Sequence, residues 1–246
     1  MVKVCVLQAD NRPSLDYLLK TQEINKFFCK CLGYDYLFLE IDNNKYGNIH
    51  PATKKIHVVN DFLQNTEYDI LVFLDSDAWI KNGNWLSELL DNLINNENKH
   101  GCFSRDPYIK KNTFINSGSF IIKINDFTKQ IYNTIINNLY SDSIHHNVFP
   151  YDQYYVSNCI FENKEKFNIF VPELLNTPIG KIFIHSWYKN WKMEHELWDL
   201  KQLILTKKED LLLEKTLFNI EEYYDNEDFP NPNEEGIFNQ YFDKLF

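Results

Sequence analysis

Apolar and polar residues fall in alternating blocks along this chain, and the blocks come in a repeating order. Val2–Ala9 is an apolar run that predicts a first strand, and its carboxyl end passes into the polar loop Gln8-Ala9-Asp10-Asn11-Arg12-Pro13. Ser14 is placed to cap a helix reaching about Leu32, where Gly33 ends it. Tyr36–Ile41 predicts a second strand and Asp42–His50 a polar loop. Pro51 then suits the first turn of a helix running to about Asn65. Asp69–Leu74 predicts a third strand. Its stretch Ile70-Leu71-Val72-Phe73-Leu74 is apolar throughout, as in a strand covered on both faces. The order β-α-β-α-β is that of a parallel sheet with crossover helices.

Beyond the third strand the pattern loosens. Helices are expected over Trp85–Asn96, Phe127–Tyr140 and Asp152–Phe161. Strands are expected over Gly101–Ser104, Ser119–Ile124, Phe167–Val171 and Lys181–Ile184. The Ser119–Ile124 strand is led by a turn at Asn116-Ser117-Gly118, and the last strand runs into His185. Glu194–Leu213 carries Leu197, Leu200, Ile204, Leu211 and Leu212 on or near one helical face. From about Asn226 the chain turns acidic and rich in Pro and Asn, as in a loosely packed tail. The expectation is an α/β protein with one domain over residues 1–215 and a C-terminal extension over 216–246, its mainly parallel sheet flanked by helices.

Composition narrows the function. The chain has 246 residues and a net charge of −10, which disfavours a general nucleic-acid binder. An acidic protein still binds a nucleotide where a metal ion neutralises the phosphates. Cys5, Cys29, Cys31, Cys102 and Cys159 lack the spacing of a zinc site and read as reduced thiols. Met1–Leu7 leads straight into a strand, too short for a signal peptide, and no window reaches transmembrane length. A cytoplasmic protein is expected.

The chemistry concentrates at strand ends. Asp75 and Asp77 follow the third strand, where α/β sheets bind ligands, and positions i and i+2 of an extended segment face the same way. The pair can share one hard cation with a phosphate-bearing ligand, or one aspartate can simply cap a turn. His185, at another strand end, is a third ligand or a satisfied core group. An Asp/Asp/His set suits Mn²⁺ or Mg²⁺. Gly118 lets backbone come close to a ligand, and Asn116 can exchange hydrogen bonds with hydroxyls. Asp152, with Gln153 beside it, is a helix cap, a group that meets a sugar hydroxyl, or a general base. Asp10, Asn11 and Arg12, with Gln8 just before them, fall where a nucleotide base and ribose would lie. Lys54 and Lys55 open the second helix. Both could approach the ligand. Solvated surface charge is the alternative for each of these groups, Arg105-Asp106 included, and it is the plainer reading for the two lysines.

Taken together, these segments resemble the GT-A glycosyltransferases. More narrowly, they resemble the family of yeast Golgi galactosyl- and mannosyltransferases and plant xyloglucan xylosyltransferases. The resemblance spans about residues 2–190. It rests on Asn25-Lys26-Phe27, Gly33-Tyr34, Pro51-Ala52-Thr53-Lys54-Lys55, Leu74-Asp75-Ser76-Asp77-Ala78, Asn116-Ser117-Gly118-Ser119-Phe120, Asp152-Gln153 and Ile184-His185. It implies a GT-A, Rossmann-like fold. It also implies a Mn²⁺-dependent transfer of a hexose or pentose from a nucleotide sugar, a UDP-sugar by preference, to a glycan or other hydroxyl acceptor with retention. Asp75, Asp77 and His185 would hold the metal. Gln8, Asp10, Asn11, Arg12, Lys54, Ser76, Ser117 and Gly118 would contact the donor, and Asn116, Asp152 and Gln153 would face the transferred sugar. Trp187, Tyr188 and Trp191 are candidates for stacking on an acceptor. The chain departs from Golgi members in lacking an N-terminal anchor, as a cytosolic bacterial or large-virus enzyme would.

Two other classes compete. A haloacid-dehalogenase-type phosphatase also carries a strand-end Asp-x-Asp, but on its first strand and with Thr or Val where this chain has Trp79. A non-catalytic nucleotide- or carbohydrate-binding module would have less need of a metal-ligand set.

Overall fold

The computed structural model describes residues 2–107, 114–186 and 218–224. The main sheet begins as expected. β1 (Val4–Asp10), α1 (Asp16–Leu32), β2 (Asp35–Glu40), α2 (Pro51–Asn65) and β3 (Ile70–Leu74) form the right-hand run of a βαβαβ unit, with β1 parallel to both β2 and β3. Residues of β1 and β3 alternate between two hydrophobic layers. Val4, Val6, Ile70 and Val72 pack with α1, while Leu7, Leu71 and Phe73 pack with α2. Both faces are covered, so neither strand needs a polar side.

The rest departs from a purely parallel plan. β4 (Ala78–Ile80) and α3 (Gly83–Asn95) lead to β5 (Gly101–Arg105) and β6 (Ile115–Lys123). β6 inserts antiparallel between β3 and β5, with Leu74 opposite Ser119. α4 (Asp126–Ser141) and α5 (Asp152–Glu162) cover the sheet, and β7 (Asn168–Phe170) closes it alongside β5. The strand order is β2-β1-β3-β6-β5-β7. After the short α6 (Pro172–Leu175), β8 (Phe183–His185) pairs with β4 in a separate ribbon that sets Ala78 opposite His185. Residues 218–224 return to the core, where Phe218 stacks on Trp85 and Tyr224 bridges to Phe170.

Four local expectations change. Ser14 does not cap α1; Leu15 holds the cap position without a side-chain bond, whereas Gly33 ends the helix at φ 72° as expected. Asn116, Ser117 and Gly118 are not a turn but part of β6, which pairs with β5 through Ile115 opposite Arg105 and Asn116 opposite Ser104. Asp152 is not the cap of α5, since Tyr151 holds that position. β4 was not foreseen, because three apolar residues after a turn carry no period of their own. The Glu194–Leu213 helix, the tail from Asn226 and the boundary between residues 215 and 216 lie outside the described residues.

Candidate functional site: a carboxylate–histidine cluster beside a cleft

The turn Asp75-Ser76-Asp77 is held from beneath by buried polar side chains. Gln8 Nε2 donates to the carbonyls of Asp75 (2.9 Å) and Ala78 (3.2 Å), and Gln8 Oε1 accepts from Tyr36 Oη (2.8 Å). Thr21 Oγ1 donates to the Ser76 carbonyl at 2.9 Å. Asn25 donates to the Ala78 carbonyl at 3.2 Å and accepts from the Ile80 amide at 2.9 Å. With its backbone satisfied from below, the turn is free to present its carboxylates outward. Gln8 therefore lies under the site rather than in its wall. Thr21 was missed as a supporting residue. Its signal was a polar residue on the apolar face of α1, one helical turn before Asn25.

Asp75, Asp77 and His185 offer ligand atoms that all lie within 4.8 Å of one another. His185 Nε2 stands 3.3 Å from Asp77 Oδ1 and 3.8 Å from Asp75 Oδ2. The β4–β8 pairing makes this meeting, and the Ser186 amide locks it by donating to the Asp77 carbonyl at 2.9 Å. Gly118 has a role the sequence did not show. A Cβ at that position would sit 1.9 Å from His185 Cε1, so the glycine makes room for the imidazole rather than for a ligand. Burial opposes a charged His185 ring, but Asp77 and then Asp75 outweigh it and raise its pKa. Burial pushes the Asp75 carboxyl up to about 6 against the pull of Lys55 and His185. Two carboxylates and an imidazole converging at a partly buried point match the donor set of Mn²⁺ or Mg²⁺, whose charge would offset that burial. The residues present fit the expected ion.

Lys55 ties this cluster to the expected sugar-facing group. It is buried on the first turns of α2 and bonds Asp75 Oδ1 at 2.9 Å and Asp152 Oδ2 at 3.0 Å. Burial works against its charge, and the two carboxylates overcome that and raise its pKa. Ser117 Oγ donates to the same Asp152 oxygen at 2.5 Å. A second node lies beside the first. Asp106 Oδ2 accepts from Asn116 Nδ2 (3.1 Å) and Gln153 Nε2 (2.9 Å), while Asn116 Oδ1 accepts from the Gly118 amide (2.8 Å). Arg105, Asp106 and Lys55 are all buried, which overturns the reading of solvated surface charge for them.

A cleft of about 440 Å³ opens next to the aspartates, within the range of ligand pockets. Ala9, Ile41 and Pro51 give it apolar walls; Asp10, Asn11 and Arg12 edge it; and Lys55 and Asp75-Ser76-Asp77 close one end. Asp10 grips Arg12 with both oxygens, at 3.0 Å to Nε and 3.0 Å to Nη2. Asn11 reaches Asn43 at 2.9 Å. Lys54 is buried, and its ammonium bonds the Asn43 carbonyl, so Lys55 rather than Lys54 reaches the carboxylates. Trp187, Tyr188 and Trp191 lie outside the described residues.

Comparison with known proteins bears on this geometry. The family model described as Glycosyl transferase family 2 matches residues 21–157. That span holds Asp75–Asp77, Asn116–Gly118 and Asp152-Gln153; it leaves out Asp10–Arg12 and His185. A glycosyltransferase involved in the glycosylation of the major capsid of PBCV-1 is similar in structure. Its TM-score is 0.64 at 17% identity, over 80% of this chain and 99% of that one. The glycosyltransferase GlyE of Streptococcus pneumoniae TIGR4 has a TM-score of 0.53 at 13% identity, over 89% of this chain and 67% of that one. Its apo form has a TM-score of 0.56 at 13% identity, over 87% and 65%. At these identities the likeness shows the shared fold, that of the GT-A glycosyltransferases. No curated protein matches the sequence.

Proposed function

The chain belongs to glycosyl transferase family 2, and from that premise we propose that it is a metal-dependent transferase using a nucleotide sugar, a UDP-sugar by preference. It moves a hexose or pentose to a hydroxyl of a glycan or other acceptor with retention. One observation carries the reading: the ligand atoms of Asp75, Asp77 and His185 converge within 4.8 Å beside the cleft.

Asp77, His185 and the Asp75 oxygen not taken by Lys55 would hold a divalent cation. When bound, that cation supplies charge stabilisation to a departing diphosphate. The apolar walls and polar rim of the cleft suit a nucleoside. Asp10 bonds the Arg12 guanidinium at that rim, with Asn11 beside it. Lys55 and Ser117 both bind Oδ2 of Asp152, which leaves Oδ1 for the substrate. A carboxylate held in this way stabilises positive charge developing on an oxocarbenium-like sugar, in a retaining or an inverting transfer alike. Asp106 orients the amides of Asn116 and Gln153, which then meet sugar hydroxyls. The narrower likeness to the yeast and plant enzymes stays part of the proposal, supported by Asn25 clasping the chain after the Asp-x-Asp turn. So does a cytoplasmic setting, in keeping with five free cysteines. No described helix is long and apolar enough to cross a membrane.

Thermal-shift screening of UDP-galactose, UDP-glucose, UDP-xylose and GDP-mannose, each with and without Mn²⁺, tests the proposal. At a hundred times the Kd, a true donor stabilises the fold by about 2.7 kcal/mol, and the gain should need the metal. If no nucleotide sugar moves the melting point, the proposal fails. Binding without hydrolysis or transfer of any donor would point instead to the non-catalytic module.

A further inference from the structure

Seven large hydrophobic side chains are exposed among the described residues, and four of them, Tyr140, Ile144, Val148 and Phe149, fall within one short stretch. They occupy the end of α4 and the loop that leads into α5. This loop is pinned to the start of α2, which forms one wall of the cleft. The His146 carbonyl accepts from the His50 amide at 3.0 Å and from Thr53 Oγ1 at 2.9 Å, and Asn147 Nδ2 donates to the Asn48 carbonyl at 3.2 Å. Tyr155 Oη donates to the Asp142 carbonyl at 2.8 Å. Apolar exposure on a segment tethered beside the cleft marks a binding surface.

The rings of this loop lead step by step to the site. Phe149, 57% exposed, meets Tyr151 edge to face, with centroids 6.2 Å apart at 88°. Tyr151 stacks on His50 at 4.1 Å and 14°. His50 lines the cleft, and Tyr151 directly precedes Asp152. Tyr151 is held at φ 53°, a conformation unfavourable for a bulky side chain and one that recurs at ligand clamps. Burial lowers the His50 pKa, against the pull of Asp152 and helped by Arg12, so the stacked ring is neutral near pH 7.

We propose that Phe149, Tyr151 and His50 form the acceptor ledge of the site, and that it seats an uncharged pyranose. This rests on the glycosyl-transfer reading and names its acceptor class. A pyranose has an apolar C–H face and a polar rim of hydroxyls. Phe149 takes the C–H face, as an aromatic ring takes any flat apolar surface, and Asp152 and Gln153 receive a hydroxyl at the edge. A net charge of −10 and the buried aspartates repel an anionic acceptor. Val148 extends the apolar strip for a neighbouring sugar or aglycone.

Saturation-transfer NMR with methyl β-D-glucopyranoside, methyl β-D-xylopyranoside and methyl α-D-mannopyranoside, in the presence of Mn²⁺ and UDP, tests the ledge. At least one glycoside should bind, with the strongest transfer to the C–H protons of one ring face. Phe149→Ala should raise its Kd about tenfold, Phe149→Trp should keep it within about threefold, and Val2→Ala, at an exposed residue ahead of β1, should leave it unchanged. The ledge is overturned if none of the three binds the wild-type protein while Mn²⁺ and UDP do, or if Phe149→Ala binds equally well. It is also overturned if Phe149→Ala spares the glycosides but abolishes co-sedimentation with phosphatidylcholine vesicles, which would make the strip a lipid contact. Loss of Mn²⁺–UDP binding in the wild-type protein would instead sink the glycosyl-transfer reading itself.

Discussion

Two regions border the Asp75–Asp77 turn, and they handle charge in opposite ways. The floor, around Lys55, Asp152 and Asp106, is buried, with Asp75 half-buried at its edge, and almost every charged group there has two partners. The rim keeps an ion pair between Asp10, which is buried, and Arg12, whose side chain is 49% exposed. Water cannot stand in for a lost partner on the floor, so the geometry there is over-determined and each removal is costly. On the rim water reaches the arginine, so that side chain can shift to fit a ligand. Chemistry that needs fixed distances belongs on the floor, and recognition that tolerates adjustment belongs on the rim.

Substitutions can break or sharpen that contrast. The largest effect is expected from Lys55→Met, which leaves the buried Asp152 and the half-buried Asp75 without their shared cation. Urea denaturation should show a loss of about 3–5 kcal/mol. A loss below 1 kcal/mol would mean that the floor is wetter than its burial implies. Next, Gly118→Ala should drive the His185 ring out of line and weaken Mn²⁺ affinity about 10- to 100-fold by calorimetry, with circular dichroism unchanged. Unaltered affinity would remove His185 from the metal set. Gln8→Leu removes the donor to two carbonyls of the turn and should cost about 1–3 kcal/mol in thermal or urea unfolding. The smallest change is expected on the rim: Arg12→Ala should alter stability by less than about 1 kcal/mol, since water can reach Asp10 from the side the arginine vacates. Its effect should show in nucleotide affinity, and an unfolding loss as large as that of Lys55→Met would erase the contrast.

Much of the fold was legible along the chain where it repeats. β1, β2, β3, α1 and α2 came within a residue or two of their expected bounds, because a buried strand and an amphipathic helix each leave a local period. Asp75 and Asp77 were legible because they end a run that could only be a buried strand. The misses share one cause. Ser14 looked like a cap, but Leu15 holds that position; Asn116-Ser117-Gly118 looked like a turn, but it belongs to β6, which pairs with β5 through Asn116 opposite Ser104. Arg105-Asp106 and Lys55 looked like surface charge, because no local signal separates a solvated ion from one buried against a partner far along the chain.

The sequence by itself determined the element order and put two carboxylates at the end of β3, since side-chain period and turn chemistry are properties of neighbouring residues. Tertiary structure decided what those carboxylates face. Lys55 arrives from α2, Asp152 from the start of α5, and His185 through the β4–β8 ribbon, into space that Gly118 leaves open. Charge pairing, desolvation and steric fit depend on distance in space, and a chain read residue by residue records only distance along itself.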